Sequence, residues 1–226
     1  MNIPLYSPRD WRSHPPYTFK GYGSSVKRGP LKRLVPIQQT LSEVTGPLFS
    51  DIKLEPGEND LTRNLDTGKE AMGERIIVVG RVLDEDERPV PNTLIEIWQA
   101  NAAGKYDHPE DMQAKSVDPS FHGFGRSATD KQGIYRFQTI KPGAVPGPGN
   151  SLQSPHLVVF VFGRGMLKQL LTRIYFEDEA HNADDPVLGL VPEARRATLI
   201  ARKTNSTSYA KDIVLQGAGE TVFFEY

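Results

Sequence analysis

Cysteine is missing from all 226 residues of the sequence. Its absence excludes disulfides, thiolate metal sites and cysteine nucleophiles together. Long apolar runs are missing too. No window approaches the roughly 18 apolar residues of a membrane helix. The opening MNIPLYSPRDWRSHPP has no apolar core of the secretory type. A cytoplasmic location without a membrane partner is therefore expected. Charge of one sign is also lacking. Lys and Arg number 27 against 28 Asp and Glu, which gives no electrostatic case for nucleic acid as a partner. Several catalytic signatures are absent as well. There is no G-x-S-x-G elbow, and GRGMLK lacks the spacing of a phosphate loop. The five histidines, His14, His108, His122, His156 and His181, form neither H-x-H nor H-E-x-x-H. There is no internal repeat and no low-complexity tract.

What remains reads as a soluble globular chain, 38% hydrophobic and 24% charged, long enough to bury a core. Residues 1–74 are rich in proline, aromatics and basic residues, with no helical or strand period. They read as an extended arm, too long for an ordinary loop, that wraps the core or a partner subunit. Within it PIQQTLSEVTGPLFS suits one short helical turn, broken at Gly46-Pro47. From Arg75 the character changes. RIIVVGRVLD, TLIEIWQA, GIYRFQTIKPG, HLVVFVFG, LLTRIYFED, AKDIVLQG and TVFFEY read as strands, by β-branched content or by apolar–polar alternation. VPEARRATLIARK is the one helical candidate. The expected fold is all-β: an antiparallel β-sandwich over residues 75–226, with a long N-terminal arm and one short helix.

Two residues suggest metal chemistry. Tyr106 lies in a loop after the strand that ends near Trp98, and His156 opens the strand in SPHLVVFVFGRG. A phenolate and an imidazole together suit ferric iron. A structural polar residue at a strand start is the more ordinary role for His156. Arg164, between glycines, suits a bidentate fork on a carboxylate or a plain surface position.

The stretch VVGRVLDEDERPVPNTLIEIWQANAAGKYDH, with FGRSATDKQGIYRFQTIKPG downstream, resembles the intradiol ring-cleavage dioxygenases. The resemblance runs from about residue 9 to the end. It implies a β-sandwich that cleaves a catechol between its hydroxyls with O2 and a non-haem Fe(3+), held by two tyrosines and two histidines. Members that act on an aromatic dihydroxy acid pair two homologous subunits, and only the β subunit carries iron. Carried over residue by residue, Tyr106 and His156 match two ligands, while Val145 and Val158 stand at the other two. The resemblance therefore implies an α-type subunit with Fe(3+) held by its partner β subunit. Tyr106 and His156 would then be remnants of a metal site. Gly46, Pro47 and Arg164 would line the partner's substrate pocket, with Val44 at the place of a threonine and Thr45 beside it. Tyr22 matches an arm tyrosine of β that faces the substrate carboxylate. Gly147 and Gln153 replace a tryptophan and an arginine of the β pocket. The C-terminal half looks like α, and the N-terminal part looks more like β. Two other expectations stand beside this one. One is a self-sufficient dioxygenase in which His108 or His122 completes a rearranged site. The other is a non-enzymatic β-sandwich interaction module.

Overall fold

The computed structural model describes Gly21 and residues 53–63, 65, 67–163, 166 and 168–225. The chain divides into units Met1–Val44 and Thr45–Tyr226, and the strands described below all belong to the second. Tyr22, Gly46, Pro47 and Arg164, and the expected helical turn in residues 36–50, lie outside the described residues.

Among the described residues eleven strands form the fold: β1 (Arg75–Leu83), β2 (Leu94–Trp98), β3 (Phe124–Ala128), β4 (Ile134–Ile140), β5 (Val145–Pro146), β6 (Leu152–Gln153), β7 (His156–Phe162), β8 (Leu170–Phe176), β9 (Ile200–Lys203), β10 (Ser208–Ala210) and β11 (Ile213–Val214). One helical turn, α1 (Glu193–Arg196), interrupts them. Nine strands join in one sheet in the order β11-β1-β10-β9-β8-β7-β2-β3, with β4 also paired to β1, while β5 and β6 make a separate hairpin. β4, beside β1, approaches β3 at the far end of the path, since the Arg136 amide of β4 donates to the Ser127 hydroxyl of β3 at 3.3 Å. The all-β class expected from the sequence is the one observed. It is a mixed sheet, because β1 runs parallel to β10 and β11, and β8 runs parallel to β9.

Strand alternation builds the core. In β1, Ile76, Val78 and Val82 point inward. In β7, Leu157, Val159 and Val161 do so, and all three are fully buried. Because successive side chains alternate faces, His156, Val158, Phe160 and Phe162 share the opposite face. Leu61 enters the same core from before β1, with its amide donating to the Gln138 carbonyl at 2.8 Å. At Gly80 an added Cβ would lie 1.7 Å from the Lys211 carbonyl oxygen, so only glycine lets β1 pass that segment.

Three local expectations are corrected. The helical candidate at 191–203 supplies only α1 and a 3-10 turn at Ala197–Leu199 before the chain turns to strand β9. A helix this short gains little by itself, and parallel pairing of Ile200 with Tyr175 and Ala201 with Phe176 takes over. TVFFEY contributes a single bridge, Leu171 to Phe224, rather than a strand. AKDIVLQG is split, with β10 ending at Ala210 and β11 beginning at Ile213. β3, which reads FGRSA, has weak strand character of its own and is held by five rungs to β2. Among the described residues no helix is long and apolar enough to cross a membrane.

Ile97 is fully buried in this core, whereas Leu190 is 81% exposed. Ile97→Ala is expected to cost about 2–5 kcal/mol in chemical denaturation. Leu190→Ala should stay within about 0.5 kcal/mol. Equal effects would contradict the inward assignment of β2.

Candidate functional site

Three neighbouring strands frame a cleft. β7 pairs antiparallel with β2 on one side and β8 on the other. Val158 is directly opposite Trp98 on β2 and Arg173 on β8, and His156 is opposite Tyr175. Directly opposed side chains share a face, so these five residues lie together on the outer face of the sheet. An open cleft of about 550 Å³ runs beside them, lined in part by Trp98, Tyr106, His108, Val145, Pro146 and Gln153.

The loop after β2 carries Tyr106 into place. Asn101 organises it. Its side-chain oxygen accepts from the amides of Ala103 and Lys105 at 2.9 and 3.0 Å, and its amide nitrogen donates to the Ser116 carbonyl at 2.9 Å. Gly104 has φ +76°, and an added Cβ there would lie 2.0 Å from the Ala144 carbonyl oxygen. Glycine therefore lets this loop press against the strand leading to Val145. The Tyr106 amide donates to Asp111 Oδ2 at 2.8 Å. Burial opposes ionisation of Asp111. The amides of Tyr106 and Gln113, the Gln113 side chain and the Lys105 charge outweigh it and hold the carboxyl below its usual range.

Tyr106 and His156, 50 residues apart in sequence, meet with Oη 3.4 Å from Nε2. His156 Nδ1 lies 2.7 Å from the Ser154 carbonyl oxygen. A carbonyl only accepts, so Nδ1 carries the proton and Nε2 is left to accept from the phenol. Burial, helped by the Arg173 charge, pushes the His156 pKa down to about 4. Burial pushes Tyr106 up to about 12, against the Arg173 charge and with a contribution from Asp111. Near neutral pH the pair is a neutral phenol bonded to a neutral imidazole. The Tyr106 ring lies on Trp98, centroids 4.5 Å apart. The His156 ring lies 5.6 Å from that of Tyr175. The Tyr175 hydroxyl donates to the buried Asp185 at 3.3 Å, and burial holds its pKa above the usual phenol value.

Apolar side chains complete the surroundings. Val145 is buried and paired with Gln153 in the β5–β6 hairpin. Val158 is half-buried. Neither offers a lone pair. His108 borders the cleft, edge-on to Trp98 at 6.1 Å. His122 is turned to Asp107, with Nδ1 2.7 Å from Oδ2, and both side chains are half exposed. Among the described residues no group of three or more His, Asp or Glu side chains is arranged to hold a metal ion. The structure thus brings Tyr106 and His156 together, with Val145 and Val158 offering no donor atoms. Sequence reading missed Arg173 and Tyr175, which face the same site from β8. The only signal for them was a charged residue in the alternation of LLTRIYFED.

The depressed His156 pKa has a pH signature. The unfolded chain binds a proton near pH 6.5, while the folded one does so only near pH 4. Stability therefore falls as pH drops from about 6.5 toward 4, by at most about 1.4 kcal/mol per pH unit from this group. Tyr106, Arg173, Tyr175 and Asp185 face it. Urea denaturation at pH 7, 6 and 5 should show a shallower slope for His156→Gln than for the unsubstituted chain. Identical slopes would mean that His156 is not held neutral.

Comparison with known proteins agrees with this geometry. A family model described as "Dioxygenase" matches residues 44–217. A second, described as "Protocatechuate 3,4-dioxygenase beta subunit N terminal", matches residues 7–40. The chain is 43% identical over 226 residues to the protocatechuate 3,4-dioxygenase beta chain of Burkholderia cepacia, covering 96% of each. It is 37% identical to the alpha chain of Pseudomonas putida, covering 84% of this chain and 98% of that one. The dioxygenase domain of a dioxygenase carbohydrate-binding protein fusion from Streptomyces sp. SirexAA-E shares the fold, with a TM-score of 0.51 at 23% identity over 75% of this chain and 96% of that one. Catechol 1,2-dioxygenase from Acinetobacter sp. ADP1 does so at a TM-score of 0.53 and 22% identity, over 74% and 60%. With the family match spanning most of the β-rich unit and two relatives above 35% identity, the chain belongs to the intradiol ring-cleaving dioxygenase family.

Proposed function

We propose that this chain is an α-type subunit of a protocatechuate 3,4-dioxygenase, assembled with a homologous β subunit that holds the ferric iron. The assembled enzyme would cleave the ring of an aromatic dihydroxy acid between its hydroxyls, with O2, to give 3-carboxy-cis,cis-muconate. The family uses non-haem iron, and the residues present here do not fit that ion. One phenol and one imidazole are in contact, and valines stand at the two positions where further donors would have to come. Two donors leave a metal ion mostly in water and weakly held. That pair of valines is the observation that carries the reading.

Overall similarity pulls both ways, since relatives of both chain types match and the arm matches a beta-subunit model. The site outweighs the total. Identity summed over a chain reflects mostly the shared scaffold, whereas iron binding depends on four side chains. In this reading Gly46, Pro47 and Arg164 form part of the wall of the partner's pocket, with the Arg164 guanidinium forked onto the substrate carboxylate. Tyr22 is a further candidate at that pocket. A self-sufficient enzyme with a rearranged site is the second reading, favoured by His108 on the rim of the cleft.

Metal analysis decides between them. The chain expressed alone should contain no stoichiometric iron and remain colourless after ferric loading. Co-expression with an iron-binding β chain should yield a complex that consumes O2 with protocatechuate. Stoichiometric iron and a burgundy tyrosinate-to-iron band in the lone chain would overturn the α-type reading and support the second one. Failure to join any β chain would favour an interaction module.

A further inference from the structure

We propose that Arg173 is a resident cation beside the cleft, its guanidinium bonded to the ladder partner of Val145 and its strand position opposite Val158, and that it keeps metal ions off the Tyr106–His156 pair. This rests on, and deepens, the reading of the chain as an iron-free subunit.

Arg173 lies directly opposite Val158 in the β7–β8 ladder. Its Nη1 donates to Gln153 Oε1 at 2.7 Å and reaches Tyr175 Oη at 3.4 Å. Gln153 is itself the ladder partner of Val145. The guanidinium is therefore tied on one side to the neighbour of Val145 and on the other to the strand facing Val158. Tyr175 lies opposite His156, so the same group neighbours His156 on the outer face, and its charge acts on both Tyr106 and His156. Gln153 is positioned for this role, with its Nε2 donating to the Pro146 carbonyl at 2.9 Å, which leaves Oε1 to accept from Arg173. Both of these partners are neutral, a carboxamide and a phenol, so neither cancels the positive charge. A guanidinium stays protonated at any ordinary pH. In a partly buried setting its repulsion of an incoming cation exceeds what the same pair would feel in water. The loss of two donors removes what would attract a metal, and Arg173 adds what repels one.

The test restores the donors and varies the charge. In a Val145→Tyr, Val158→His background, ferric nitrilotriacetate is titrated against chains carrying Arg173, Arg173→Lys or Arg173→Gln. Binding is followed by the tyrosinate-to-iron absorption band and by quenching of tryptophan fluorescence. Arg173→Gln is expected to bind ferric iron at least about tenfold more tightly than the Arg173 and Arg173→Lys chains, as removal of one nearby positive charge requires. Circular dichroism and thermal melts establish that each variant is folded. If Val145→Tyr prevents folding, the single Val158→His background gives the same three-way comparison. Equal affinities across the three residues would overturn the role given to Arg173 and leave the iron-free subunit reading standing. An unsubstituted chain that fills with iron would overturn both.

Discussion

The register of β7 between β2 and β8 determines which side chains can meet at the cleft. Residues alternate faces along a strand, so a slip of one residue would turn Leu157 and Val159 outward and His156 and Val158 inward. Leu157, Val159 and Val161 are all fully buried, and each contributes about 1.5–3 kcal/mol by leaving water. That sum is far larger than any single polar contact at the cleft. The apolar core thus fixes the register, and the register delivers His156 to Tyr175 and Val158 to both Trp98 and Arg173. The chemistry of the outer face is a consequence of packing on the inner one.

Given that placement, the electrostatics of the site follow. Tyr106 and His156 are buried together and stay neutral, because burial opposes both the phenolate and the imidazolium. The positive charge of Arg173 favours the deprotonated form of both, opposing burial at Tyr106 and adding to it at His156. A carboxylate enters the network only at one remove. Asp185 accepts from the Tyr175 hydroxyl and from the amides of Ser154, Val187 and Leu188. Those amides keep Asp185 supplied with donors, so it does not have to turn toward Arg173.

Much of the scaffold was legible in the sequence. β1, β2, β4, β7 and β8 each announce themselves by β-branched content or by alternation, and each is where the pattern puts it. β3 was not legible, because FGRSA carries only one large apolar residue and owes its strand geometry to β2. The 191–203 segment misled in the other direction, since its helical composition yields to strand pairing after one turn. Of the site, the substitution of Val145 and Val158 could be seen by alignment of motifs alone. The contact of Tyr106 with His156 could not be deduced from residues 50 apart. Arg173 was hidden for a physical reason. A charged residue in an alternating strand reads as solvent-facing, and nothing local reveals that it is tied to Gln153 and Tyr175 beside His156.

On the proposed reading Tyr106 and His156 are what is left of a metal site, and the contacts of His156 give it a structural duty of its own. The imidazole satisfies the Ser154 carbonyl through Nδ1 and the Tyr106 hydroxyl through Nε2. Both partners are at least partly buried. Removing the ring would strand a carbonyl and a hydroxyl away from water, at a cost of about 1–3 kcal/mol for each buried group left unpaired. The ring also packs against Tyr175. Tyr106 is held in the same way by Trp98 and by Asp111. Valine at 145 and 158 leaves no unpaired polar group behind. Stability alone is therefore enough to keep a phenol and an imidazole that have structural partners, whereas on the proposed reading donors that served only an ion could be lost at positions 145 and 158.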